Sequence, residues 1–393
     1  MYDFRKLDNL LTGFAENSVP GCACTIMKND EIIYEGYAGY ADLETKEKVH
    51  ARSIFRQAST TKLLTYTIIG MLYEEGKFLL SDPIYEYLPE WKHMKKFQTQ
   101  PNNTLEIVNL ENPITIKDVV TMACGLPYCM FQDLESDQPV TRAMSKALLS
   151  LSEDKRPVLR EQVRAMAQVP VLFEPGTHWL YGFGSEITGA IVEVITGKPL
   201  RQVFKERIID PLGLKDTGTY ITDSNYHQVV KNYIKNEDGS FTKLGPETDA
   251  DVNLEFTPID GRPTLLSTAN DYAIFMQMLA NGGTYKGQPL IGRKTVDLLT
   301  TNYLNETQLK DFNNNNDYLA GYGYGLGFRT LMDKAEGNHN GSIGSFGWTG
   351  GSGIWVEADP KEGLAIVYMH NMRPNEELYH HLRVRATAYG CIE

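Results

Sequence analysis

Phe4, Leu7, Leu10, Leu11 and Phe14 recur at the spacing of one helix face, which predicts an amphipathic helix over residues 3 to 16. Pro20-Gly21 ends that segment. Two runs follow, Cys22 to Met27 and Glu31 to Tyr40, separated by Lys28-Asn29-Asp30; they read as a β-hairpin. A helix followed by a hairpin points to an α/β layer rather than a bundle. Ser59 to Glu75 is apolar on more than one face, through Leu63, Leu64, Ile68, Ile69, Met71 and Leu72, as in a buried helix. The break Leu80-Ser81-Asp82-Pro83 comes next.

From Ile84 to Asn253 the pattern is that of helices and polar loops. Ile114 to Met122 predicts a helix with Thr115 and Asp118 at capping spacing. Gly184 to Thr196 predicts another, ending at Gly197, and Asp271 to Leu279 a third, ending at Asn281-Gly282-Gly283. Strand character returns in Tyr322 to Thr330, Gly353 to Glu357 and Leu364 to His370. Ahead of it, Asp311 to Asp317 reads as a polar surface loop. The alternating glycines from Gly321 to Gly327 fall on one face of a strand, which argues against a phosphate-binding loop. The expected fold is α/β, of the α+β kind: an antiparallel sheet flanked by helices. Residues 1–82 and 255–393 build the sheet part and 83–254 a mainly helical subdomain, with the active site between them.

The 393 residues suffice for more than one packed layer. A formal charge of -12 favours solubility and argues against a nucleic-acid partner. Cys22, Cys24, Cys124, Cys129 and Cys391 form no dense framework and read as reduced thiols. Cys22 and Cys24 lie in a strand, where core packing is the simpler reading. Without suitably placed His or Cys partners a zinc site is not expected, and no cofactor is expected either. Met1 to Asp8 has no apolar signal core, and no stretch approaches the roughly 20 apolar residues of a membrane span. No membrane partner is expected, and the expected location is the cytoplasm. The oligomeric state is not legible.

Three positions fit S-x-x-K: Ser59/Lys62, Ser152/Lys155 and Ser240/Lys243. Ser152 lies in a charged linker and Ser240 follows the turn Asn236-Glu237-Asp238-Gly239, so both read as solvated. Ser59 opens an apolar helix with Lys62 one turn on. Desolvation of that lysine makes a neutral, proton-accepting amine more accessible, and the helix N-terminus favours an oxyanion. The competing reading is a capping serine with an outward lysine, and the residues alone leave both open.

Phe55-Arg56-Gln57-Ala58-Ser59-Thr60-Thr61-Lys62, followed by an apolar helix, resembles the first motif of serine β-lactamases and penicillin-binding proteins. Val119 to Pro127 is similar to the helix-to-loop segment of the class C-like branch. Glu174-Pro175-Gly176-Thr177 with Trp179 and Tyr181 resembles its tyrosine motif, Leu265 to Tyr272 its late helix entry, and Phe346-Gly347-Trp348-Thr349-Gly350-Gly351 its final strand motif. The matches run in the family's order over nearly the whole chain and most resemble the β-lactamase-like esterases and D-amino-acid hydrolases. The resemblance implies a β-lactamase/transpeptidase-like fold and an acyl-enzyme on Ser59. It implies Lys62 and Tyr181 as proton carriers and an oxyanion hole from the backbone N–H groups of Ser59 and Gly351.

Two departures bear on substrate. Tyr181-Gly182-Phe183 stands where Y-x-N or Y-x-S is usual, and Trp348 stands where the last motif often begins with Lys or His. Phe183 and Trp348 offer neither an ionic partner nor an amide to a β-lactam. Tyr128, Phe183, Trp348, Thr349 and Gly350 are the expected substrate-binding residues, with Phe131 and Trp179 nearby. Cys124 replaces a usual serine with no legible consequence. His178, close to Tyr181 in sequence, reads as structural rather than as a pocket residue, and His380-His381 reads as surface. Absence of G-x-S-x-G disfavours an α/β-hydrolase elbow. The expected function is a carboxylesterase-type serine hydrolase on a small-molecule ester or acyl substrate, with acyl transfer to an alcohol using the same machinery. D-amino-acid peptidase, amidase or β-lactamase activity is the alternative within enzymes. A non-catalytic or slowly deacylating sensor on the same fold is the alternative outside them.

Overall fold

Gly21–Lys28 forms strand β1, and its surroundings explain why the run is apolar throughout. Cys22, Cys24 and Ile26 enter one core, Ala23 and Met27 another on the opposite face. Leu364–Met369 repeats this: Leu364, Ile366 and Tyr368 on the first side, Ala365, Val367 and Met369 on the second. A strand buried on both faces loses the apolar–polar alternation of a solvated one. The computed structural model describes residues 2–101, 104–128, 133–151, 158–219, 226–244 and 265–392.

The main sheet comprises β1, β2 (Glu31–Asp42), β3 (Glu47–Lys48), β4 (Tyr322–Tyr324), β5 (Arg329–Leu331), β6 (Phe346–Gly350), β7 (Ile354–Asp359) and β8 (Leu364–Met369). These strands pair antiparallel in the order β4-β5-β6-β7-β8-β1-β2-β3, so both ends of the chain build one sheet. Asn29 and Asp30, at φ 51° and 70°, make the two-residue turn between β1 and β2. The helices used below are α1 (Arg5–Asn17), α2 (Thr61–Glu74), α3 (Ile116–Val120), α4 (Pro139–Leu149), α5 (Leu159–Met166), α6 (Gly184–Thr196), α7 (Leu200–Phe204), α8 (Ala269–Ala280), α9 (Arg293–Thr300), α10 (Glu306–Asn315) and α11 (Glu377–Tyr389).

Leu7, Leu11 and Phe14 of α1 meet Val384 and Ala388 of α11 over one sheet face. Across the other face lies α8, against β1, β7 and β8. Every residue of α2 from Thr61 to Leu72 is buried, as its all-round apolarity requires. Thr115 and Asp118 form the expected capping box of α3, and Gly197 ends α6 at φ 66°. The middle of the chain supplies α3 to α7 and a small hairpin, Lys95–Thr99 with Leu105–Asn109. One apolar core runs from Ala23 and Val367 of the sheet to Val163 and Phe204 of the helices. The expected boundary at 254/255 lies outside the described residues. No helix among the described residues is long and apolar enough to cross a membrane.

Three expectations require correction. The polar run from Asp311 is not a loop through Asn315 but the second half of α10. Asn305 and Gln308 cap that helix reciprocally, and Phe312 anchors it as a fully buried ring. Tyr322 to Thr330 is not one strand but the hairpin β4–β5, with Tyr322 opposite Leu331 and the Gly325 N–H donating to the Phe328 carbonyl at 2.7 Å. Gly327 sits at φ 90°, and a Cβ there would fall 1.8 Å from the Tyr66 ring of α2. Glycine is what lets the hairpin end press against that helix.

His380 and His381, expected at the surface, are the third correction: both are buried on α11. His380 Nε2 lies 2.9 Å from Ser18 Oγ, and His370, just after β8, lies 3.1 Å from Tyr368 Oη. Burial pushes His381 down to about 3 and His370 well below its usual range. Below about pH 6.5 the unfolded chain therefore takes up the protons first. Stability is complete above that pH and declines as the pH falls toward the folded value. For His381 alone the loss at pH 5 is about 2 kcal/mol. Glu377, 4.0 Å from His381, is shifted up by burial and opposes this trend, so a variant comparison is needed to isolate the histidine. His381→Asn should lose less stability than the parent between pH 7 and pH 5 in urea titrations. Equal losses would place the acid sensitivity elsewhere.

Candidate active site

Ser59 lies in a 3-10 turn, Ala58–Thr60, that leads into α2. Before it, Ala58 holds φ 46°, a left-handed conformation that costs a non-glycine residue roughly 1–2 kcal/mol. The 265–272 segment clamps this turn. Gln57 N–H donates to the Leu265 carbonyl at 2.8 Å, Leu265 N–H to Thr61 Oγ1 at 2.9 Å, and the Tyr272 hydroxyl to the Thr60 carbonyl at 2.7 Å. Phe55–Arg56 pairs with Leu266–Ser267 just upstream. On another side, a Cβ at Gly350 would stand 2.5 Å from the Gln57 carbonyl oxygen, so only glycine lets the end of β6 approach so closely. Gly351 follows it, exposed, with nothing within 4 Å of the space a Cβ would fill.

Lys62 is only 6 % exposed, so it does not extend outward to solvent. Its Nζ stands 4.9 Å from the Tyr128 ring centre and 5.6 Å from that of Tyr181, within cation–π range of both. Among the described residues no hydrogen bond joins Lys62 Nζ to Ser59 Oγ or Tyr181 Oη. The two tyrosines meet because the chain after α3 pairs with the chain before α6. Leu172 N–H donates to the Gly125 carbonyl at 2.9 Å, Gly176 N–H to Ala123 at 3.0 Å, and Leu180 N–H to Met122 at 2.9 Å. A Cβ at Gly182 would lie 1.7 Å from the Leu126 carbonyl oxygen, which explains the glycine after Tyr181.

Trp348 is 6 % exposed and part of the core. Its Nε1–H donates to Tyr181 Oη at 3.2 Å, and the two rings stack with centres 5.5 Å apart. Tyr324 of β4 meets Trp348 edge-on at 5.4 Å, and Phe312 of α10 meets Trp179 edge-on at 4.9 Å. Both supporting rings come from segments whose sequence pattern concealed them.

Phe183, expected to line the pocket, is instead 0 % exposed and packs edge-on beneath Tyr128 at 4.8 Å. As the residue leading into α6 it is drawn into the core with Ile187. Thr349 is buried, its Oγ1 3.2 Å from Tyr318 Oη. Burial pushes the Cys124 thiol up to about 11, so it stays protonated near neutral pH. His178 is exposed, with Nδ1 2.8 Å from Asp311. Ser152, Lys155, Cys129 and Phe131 lie outside the described residues. Lys243, of the third S-x-x-K, pairs with Asp42 at 3.0 Å and Glu44 at 2.9 Å. Among the described residues no group of three His, Cys, Asp or Glu side chains is placed to hold a metal ion.

One residue had no place in the sequence reading: Glu186, in the first turn of α6, is 1 % exposed. It accepts from the Tyr128 hydroxyl at 3.2 Å and from Ser185 Oγ at 3.3 Å. Burial raises its carboxyl above the usual range, and Lys62 pulls it back.

The chain as a whole is similar to several known proteins. The esterase EstB of Burkholderia gladioli is 28 % identical over 204 residues, 52 % of this chain and 48 % of that protein. The N-acetylmuramyl-L-alanine amidase of Bacillus subtilis is 23 % identical over 401 residues, 94 % of this chain and 81 % of that protein. The solved structure of EstCE1, a hydrolase with promiscuous acyltransferase activity, superposes with a TM-score of 0.78 at 21 % identity, covering 98 % of each chain. The Beta-lactamase family profile matches residues 7–389, and the chain belongs to that family of serine hydrolases.

Proposed function

We propose that the chain hydrolyses small neutral esters through an acyl-enzyme on Ser59, and passes the acyl group to an alcohol where one replaces water. One observation carries the ester reading. Trp348 occupies the motif position at which the resemblance implies a Lys or His for a substrate carboxylate, and its single donor is already directed at Tyr181. A substrate carboxylate set against that ring would lose hydration without gaining a partner.

The chemistry follows from the residues. Ser59 Oγ attacks the ester carbonyl while its proton passes to the Lys62–Tyr181 unit. Charge developing on the carbonyl oxygen is met by the N–H groups of Ser59 and Gly351. Collapse of the tetrahedral species breaks the C–O bond, and the departing alkoxide takes the proton from Tyr181. Water or an alcohol then attacks the acyl-enzyme, gives its proton to the same unit and returns Ser59. Trp348 Nε1–H holds the Tyr181 oxygen in one orientation throughout.

A short neutral ester should exceed a chromogenic cephalosporin in kcat/KM by about 100-fold or more, the scale set by leaving one buried charge unpaired. Steady-state rates on both substrates decide it. Equal values, or a preference for the cephalosporin, would show that a cation elsewhere serves the pocket.

A further inference from the structure

The buried carboxylate of Glu186 has no step in the chemistry above, yet it lies one aromatic ring away from the proton carriers. It accepts the Tyr128 hydroxyl hydrogen bond at 3.2 Å, and the other side of that contact is the Tyr128 ring, 4.9 Å from Lys62 Nζ. A carboxylate only 1 % exposed is costly to keep charged without a counter-charge. Lys62, buried at 6 %, is a matching cation. The site of Glu186, third residue of a 13-residue helix, also favours negative charge through the helix dipole.

We infer that Glu186 is a positioning residue: it pins Tyr128 across Lys62 and, as the buried counter-charge of that lysine, sets the pH at which Ser59 becomes activated. The inference rests on the reading of Ser59 and Lys62 given above. The groups facing this carboxylate are Lys62 and Tyr66 from α2, Tyr128 from the chain after α3 and Ser185 from its own helix; Cys124, Tyr181 and Tyr324 act on Tyr66 from beyond. Tyr66 and Cys124 are both driven toward their neutral forms by burial, and Lys62 is the cation among these groups. Removing the negative charge therefore disfavours the proton-loaded relay. The acid limb of Ser59 reactivity should move to lower pH.

The test is the rate at which a fluorophosphonate labels Ser59 from pH 5 to pH 9, which reads nucleophile activation whatever the natural substrate. Glu186→Gln keeps an acceptor for the Tyr128 hydroxyl and removes the charge. Its acid limb is expected about one pH unit lower, or about tenfold faster labelling at the foot of the limb relative to the plateau. Tyr128→Phe and Glu186→Asp keep the charge and should lower the plateau while leaving the limb in place. An unshifted limb in Glu186→Gln overturns the inference. If Glu186→Gln does not fold, Glu186→Met, which also removes the charge, decides: a limb about one pH unit lower supports the charge role, and a parental limb overturns it. Labelling without ester turnover in the parent protein would sink the ester proposal and leave this profile readable. Normal turnover with an unshifted limb would sink the role of Glu186 alone.

Discussion

Ser59→Ala is expected to lower kcat/KM for a neutral ester by about 10⁴-fold or more, the loss typical of removing a nucleophile from a functioning unit. Stability should barely move. The residue lies partly exposed in a 3-10 turn whose anchoring bonds belong to Gln57, Thr60, Thr61 and Tyr272. Removing the hydroxyl leaves those bonds intact, so Tm should change by about 2 °C or less. Activity is read from ester turnover and folding from a thermal melt. Residual turnover within tenfold of the parent would mean that another residue attacks the ester.

Lys62 and Tyr181 carry the second large effect. Lys62→Met and Tyr181→Phe should each reduce kcat/KM by about 10³-fold, and the double variant should lose little more than the worse single one. The reason is geometric. Lys62 Nζ sits over the Tyr181 ring at 5.6 Å, and the proposed mechanism gives both one proton path from Ser59. Once either is absent the path is broken, and the other has nothing further to contribute. Losses that multiply, to about 10⁶-fold, would show that the two residues act in separate steps. Lys62→Met suits this purpose because methionine fills a buried, elongated site without a charge.

The fold was largely legible because apolar spacing and caps agree with it. Thr115 with Asp118, Gly197 after α6 and the Asn29-Asp30 turn each mark an element end by local chemistry. Errors fell where a distant neighbour overrides local pattern. Asp311 to Asn315 looks like a loop by composition, but Phe312 finds Trp179 and Tyr324, and that burial holds the helix. The alternating glycines suit a strand until the Tyr66 ring demands a turn at Gly327. His380 looks solvated until Phe14 of α1 and Ser18 just after that helix meet its ring.

At the site, the roles proposed for Ser59, Lys62 and Tyr181 come from motif order, whereas the contacts that surround them could not be read from it. The Trp348–Tyr181 hydrogen bond joins residues 167 positions apart and leaves no trace in either motif. Glu186 did leave one: it shares a helix face with Phe183 and Ala190, both fully buried. A carboxylate at that spacing, in an otherwise apolar stretch, marks a buried charge that needs a partner.

The central claim is that Ser59 forms the covalent intermediate. Peptide mass mapping after reaction with a fluorophosphonate addresses it most directly. A single adduct on the peptide carrying Ser59, absent from Ser59→Ala, is the predicted result. An adduct on Ser152, Ser240 or Cys124, or one that persists in Ser59→Ala, would contradict the account.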